Sequence, residues 1–159
     1  MEEIQLANKY EALAWICKNQ LGRRNLSPER KKFLLGKEYE STKLAVGGQP
    51  GNCNKVNRCD QNDHIDSEKR TCERIAVEHG VGSATVRRAE KYSRGIDAAE
   101  EAVPGAQEEI LTGHIKATNE QIVALASIPK EERPAILEEL KKKKSDRDDT
   151  VLERLKPNR

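Results

Sequence analysis

Between residues 83 and 94 the chain sets out Ser83, Ala84, Thr85, Arg87, Arg88, Lys91 and Arg94, with Glu90 as the one acid among them. Cationic groups spaced three and four apart stack on one side of a helix, where they suit the grooves and phosphates of a duplex. Four bases against one acid give this run a local charge of +3, in a chain of 159 residues whose formal charge is only +2. The positive charge is concentrated, and a scaffold is needed to aim it.

The residues just before it predict that scaffold. Ala76 is small where two helices must cross, and Gly80 follows four residues later where a turn needs an unusual backbone angle. Val81, Val86 and Ala89 then fall on an inward face. The outline is a helix-turn-helix whose second helix covers residues 83–94, with Ser83 placed to cap it. In that geometry Ser83, Ala84, Thr85, Arg87, Arg88 and Lys91 lie nearest a bound duplex. Arg87 is the candidate base reader, because a guanidinium gives guanine two parallel hydrogen bonds worth about 1–3 kcal/mol of discrimination. Arg88, Lys91, Thr71 and Ser83 suit phosphate contacts, which fix position without reading sequence. The alternative is two packed helices with a solvated basic face.

A second basic zone lies upstream. Residues 18–45 carry eight bases and three acids, and Arg23, Arg24 and Lys32 are its candidate phosphate anchors, since neutralising phosphates releases counterions. Residues 96–110 reverse the sign, with Asp97, Glu100, Glu101, Glu108 and Glu109 and no base. That segment is expected to face away from DNA.

Composition favours helices as the support. With 3% aromatic residues, the interior must come from Leu, Ile, Val and Ala, which suits an all-α, small multi-helix bundle better than a sandwich or barrel. One helix is predicted over residues 3–21, burying Leu6, Tyr10, Leu13, Cys17 and Leu21 and stopping at Gly22. The next starts at Ser27 as cap and Pro28 as first helical residue and runs to about Leu44. Residues 47–66 read as a linker. Shorter helices follow over residues 104–111, 119–127 and 131–143, and the charged tail can offer Val151, Leu152 and Leu155 as one docking face. The expected organisation is amino-terminal helices over 1–46, a linker over 47–66, the helix-turn-helix domain over 67–140 and a tail over 141–159.

Other chemistries find little support. No apolar run suits a bilayer and the start lacks a secretory layout, so a cytoplasmic protein with free thiols at Cys17, Cys53, Cys59 and Cys72 is expected. Cys53, Cys59, His64 and Cys72 lack the close ligand pairing of zinc sites, and no metal site is assigned. His79 is expected to pack within the helix pair, and His114 has no evident partner. No nucleophile set or phosphate-cradling glycine loop occurs, so neither an enzyme nor a cofactor is expected.

Two blocks resemble the ParB-like partition proteins and their relatives on mobile elements. One is Asn19-Gln20-Leu21-Gly22-Arg23-Arg24-Asn25-Leu26-Ser27-Pro28-Glu29-Arg30. The other is the helix-turn-helix followed by Ile110-Leu111-Thr112-Gly113-His114-Ile115 and then Ala124-Leu125-Ala126. Together they span residues 12–140 in the family's order. The resemblance implies a helical domain that reads an inverted-repeat DNA site, in partition or transcriptional control. Double-stranded DNA is the partner it implies; a homodimer is expected from the symmetry of most helix-turn-helix operators, and a partition ATPase is the protein partner of the rival reading. The family's Gly-Glu-Arg-Arg type nucleotide motif has no counterpart, so the chain looks like the carboxy-terminal part of such a protein or a shortened relative. Asn19 and Arg23 match nucleotide-holding positions, but Gly22 adds one residue to the spacing and no nucleotide site is assigned. The rival reading is an interaction adaptor of a partition complex, with only nonspecific DNA affinity, working through the acidic segment and the tail.

Overall fold

The computed structural model describes residues 8–45, 71–142 and 149–155. The predicted linker, and with it Cys53, Cys59 and His64, lies outside the described residues, as does Leu6. Among the described residues every regular element is helical: α1 (Lys9–Leu21), α2 (Pro28–Ala45), α3 (Thr71–Glu78), α4 (Ser83–Ala102), α5 (Ala106–Leu111), α6 (Asn119–Leu125), α7 (Arg133–Lys141) and α8 (Asp149–Leu152). A 3-10 turn, Glu153–Leu155, closes the described chain. The fold is an all-α multi-helix bundle. No described helix is long and apolar enough to cross a membrane.

Local chemistry sets most starts and stops. Asn8 caps α1, its Oδ1 accepting from the amides of Tyr10 and Glu11. Ser27 Oγ accepts from the Arg30 amide at 3.2 Å, and Pro28 opens α2 where a missing N–H costs nothing. Thr118 and Gln121 form a reciprocal capping box at α6.

The bundle is organised about α4. One cluster joins Leu35 of α2, Cys72, Ile75 and Ala76 of α3, and Val86 and Ala89 of α4. A larger one gathers Phe33, Tyr92 and Ile96 with Ile110, Ile122, Leu125, Leu137 and Leu140. Each such aliphatic side chain stabilises the fold by about 1.5–3 kcal/mol relative to its exposed state. Helix α4 contributes to both clusters, so the helices on either side of residues 46–70 share a core. Leu155 of the tail is buried in the larger cluster, with Val151 and Leu152 packed against it, so the apolar face of the tail docks on the chain's own helices.

Two crossings are close enough to be made backbone to backbone. A β-carbon at Gly36 would lie 2.2 Å from the Ala89 carbonyl oxygen, and one at Gly95 would lie 2.0 Å from that of Ile122. No larger residue fits either place without moving a helix.

Three expectations change. The predicted inner face of α1 included Leu13, which is 47% exposed. Leu13, Ala14, Trp15 and Ile16 are consecutive, so apolar periodicity does not select a face, and packing on α2 buries Cys17 with Tyr10, Ala14 and Leu21 half-buried. Helix α4 does not end at Arg94 but runs to Ala102, because Gly95 sits inside a helix crossing and nothing breaks the helix before Pro104. Ser83 does not cap it either. The cap residue is Gly82, in an extended conformation, and Ser83 is already helical.

Candidate nucleic-acid interface

The connection from α3 to α4 fixes how the cations are presented. Gly80 has φ +64, a left-handed conformation that only glycine adopts readily. The Val81 amide then donates back to the Ala76 carbonyl at 2.9 Å, closing α3. This compact return leaves Gly82 to begin α4, with its carbonyl accepting from the amides of Thr85 and Val86. The first turn of α4 holds no acidic residue and has no side-chain cap. Its positive end is therefore uncompensated, the condition in which helix amides bind phosphate.

Inward, Val86 and Ala89 are fully buried. Outward, Ala84, Arg87 and Lys91 follow one another at steps of three and four, with Arg88 beside them, and all four are exposed. Thr85 is exposed on the adjoining side and Ser83 is half-buried. Thr71, at the start of α3, is half-buried, while Arg23 and Arg24 are exposed between α1 and α2. Lys32 takes a different place, its Nζ donating to Asn119 Oδ1 at 2.8 Å and lying 4.8 Å from the Tyr92 ring centre. It ties α2 to the start of α6. Arg88, Lys91 and Lys32 border a cleft of about 1100 Å³, walled opposite by Asn119, Val123 and Ala124.

Pairing separates the cations into two groups. Lys18 pairs with Glu78, Arg30 with Glu108, Lys37 with Asp97, Lys43 with Glu90, Lys130 and Arg133 with Glu101, and Lys141 with Glu109. Arg94 lies 2.9 Å from Glu90 and 3.5 Å from Glu40, so it belongs with these structural pairs. Among the described residues no carboxylate is within ion-pair reach of Arg87, Arg88, Lys91, Arg23 or Arg24. The acidic segment is correspondingly occupied, since Glu100 accepts from the amides of Gly105 and Gln107 and its four other acids hold cations.

A feature without a local sequence signal locks the turn from behind. Glu38 of α2, only 3% exposed, meets His79 Nε2 through Oε2 at 2.7 Å. Burial raises the Glu38 pKa, and the His79 contact opposes that rise. The two residues are 41 positions apart, so only the assembled fold pairs them. Donor atoms of Glu38, Glu78 and His79 lie within 4.8 Å of one another, a set chemically able to hold a divalent cation, but Lys18 and the Glu38–His79 contact already satisfy these groups. Cys72 is buried in the core beneath α4 and Cys17 is buried on α1, both as free thiols. Burial raises the Cys17 pKa, and Glu38 adds to the rise.

No family model, curated protein or solved structure matches the chain. The functional reading rests on its own geometry and charge.

Proposed function

We propose that this protein binds double-stranded DNA sequence-specifically, in the manner expected of ParB-like proteins, with the first three turns of α4 in the major groove. One observation carries the reading. Carboxylates hold many of the cations among the described residues, whereas Arg87, Arg88 and Lys91 stand together on one exposed helix face with none within ion-pair reach. Exposed like charges on one helix face repel by a few tenths of a kcal/mol per pair, so their clustering favours an anionic partner. Ala84 leaves room for close approach, and the uncapped helix start suits a phosphate.

In this reading Arg87 reads a base edge, Arg88 and Lys91 contact backbone, and Arg23 and Arg24 add a nonspecific share. The setting is plasmid or mobile-element partition or transcriptional control in the cytoplasm. The adaptor reading is less favoured because the acids it would use are already engaged within the chain.

Selection from a random duplex library at physiological salt tests the proposal. The chain is expected to enrich a defined motif, and the Arg87→Ala, Arg88→Ala double variant is expected to lose it. Enrichment of no motif, with binding that only weakens as salt rises, would reduce the protein to a phosphate binder; no binding at all would end the DNA reading.

A further inference from the structure

The cleft of about 1100 Å³ beside α4 is large enough to enclose a small molecule, since pockets of roughly 300–1000 Å³ already bury most of a drug-sized ligand. Its floor is apolar. Ala89 and Tyr92 of α4, Ile128 after α6 and Leu155 of the tail belong to the core and line the cleft with their outer surfaces. Val123 and Ala124 of α6 extend that floor, both half-buried, and Val123 is part of neither core cluster.

Charge divides the walls. Arg88 and Lys91 stand on the α4 side, and Lys32 reaches over the Tyr92 ring. Among the described residues no carboxylate is within ion-pair reach of these three cations. Glu120, Glu132 and Glu153 line the cleft from α6, the start of α7 and the tail turn. Of these acids, Glu132 and Glu153 are already engaged in interactions of their own.

We infer that this cleft binds a small amphipathic anion, an aromatic carboxylate or sulfonate. Its charged group pairs with Arg88 and Lys91, and its apolar body covers Val123, Ala124, Ile128 and Leu155. The surroundings select that chemistry. A cationic ligand would meet three cations with no carboxylate beside them, and a duplex backbone would bring phosphates but no apolar body for the floor. The acids opposite repel an anionic group and so turn it towards α4. Guanidinium and ammonium groups bind such an anion through charge-assisted hydrogen bonds, which an apolar floor strengthens by lowering the local dielectric. The site is a property of the free protein and does not rest on DNA binding.

Fluorescence titration of the full chain without DNA tests it, with anilinonaphthalene sulfonate as the probe and phenylnaphthylamine as the same ring system without the charge. The sulfonate is expected to bind saturably at a single site, at least about tenfold more tightly than the neutral compound. The Arg88→Gln, Lys91→Gln double variant is expected to lose that preference. Val123→Glu, which sets a carboxylate into the floor, is expected to weaken both probes about tenfold or more. Its helical signal and melting should match wild type, because Val123 lies outside both core clusters. Ile16→Glu, on the exposed face of α1, should leave binding unchanged and so separates the cleft from the other exposed apolar surface. Equal affinity for the two probes, or no saturable sulfonate binding, overturns the inference. So does sulfonate binding that survives the Arg88, Lys91 double variant or Val123→Glu, or that is lost in Ile16→Glu.

Discussion

Along its first three turns α4 is packed on α2 and α3 and open to solvent on the opposite side, whereas from Gly95 onward α6 covers that side as well. The open half carries Arg87, Arg88 and Lys91 without carboxylates. In the covered half Asp97 holds Lys37, Glu101 holds Lys130 and Arg133, and Glu100 caps the start of α5 through the amides of Gly105 and Gln107. One helix thus contains charge used for building and charge left over. Net charge alone does not distinguish these uses, but pairing does.

The largest expected effect tests the covered half. Alanine favours a helix over glycine by about 1 kcal/mol, yet Gly95→Ala would press a β-carbon into the Ile122 carbonyl, and overpacking costs about 1–3 kcal/mol or more. Urea unfolding should therefore show Gly95→Ala, and equally Gly36→Ala, less stable by about 2 kcal/mol. A more stable variant would remove the close crossing from the account of α4.

The open half should respond in the opposite way. Arg87→Ala is expected to leave unfolding stability within about 0.5 kcal/mol while reducing discrimination between selected and random duplexes by about 1–3 kcal/mol. Anisotropy titration of both duplexes checks this. Loss of equal size on both would make Arg87 a phosphate contact.

A smaller effect is expected at Glu38. Its raised folded pKa means that the native chain holds the proton more tightly than the unfolded chain does. Stability then falls as pH rises from the ordinary carboxylate value through the raised one. Melting of Glu38→Gln should lose that decline while the amide oxygen still accepts from His79. An unchanged pH profile would assign the decline elsewhere.

The smallest effect sits at Glu100, whose pKa the Gly105 and Gln107 amides lower. Its contribution is present above the ordinary carboxylate value and is lost as pH falls through the lowered one. Glu100→Gln should flatten only the acid limb of the melting profile.

The sequence made the turn region readable because its signals are local. Gly80 needed φ above zero, Ala76 and Ala89 needed small volumes, and Val86 needed burial, all within fourteen residues. Pro28 and Ser27 announced α2 in the same way. The cap at Ser83 was misplaced by one residue because the return of Val81 to Ala76 sets the start of α4, and that bond is not visible in residue types. Gly95 reads locally as a weak helix position, and only the presence of α6 turns it into a crossing point. The exposed position of Leu13 likewise depends on which side of α1 meets α2. For the candidate interface, residue types identified Arg87, Arg88 and Lys91, but their lack of carboxylate neighbours shows only once the other helices bring their acids and bases together in three dimensions.

The two glycine crossings also have a mechanical meaning. Ala89 and Gly95 are six residues apart, about 9 Å along the axis of α4, and each meets a neighbouring helix through main-chain atoms. A rod held by its backbone at two heights can neither spin nor tilt freely, however the surrounding side chains vary. The heading of Arg87 is therefore indexed to the frame of the bundle, and any adjustment of fit must come from the flexible arginine stem or from bending of the duplex.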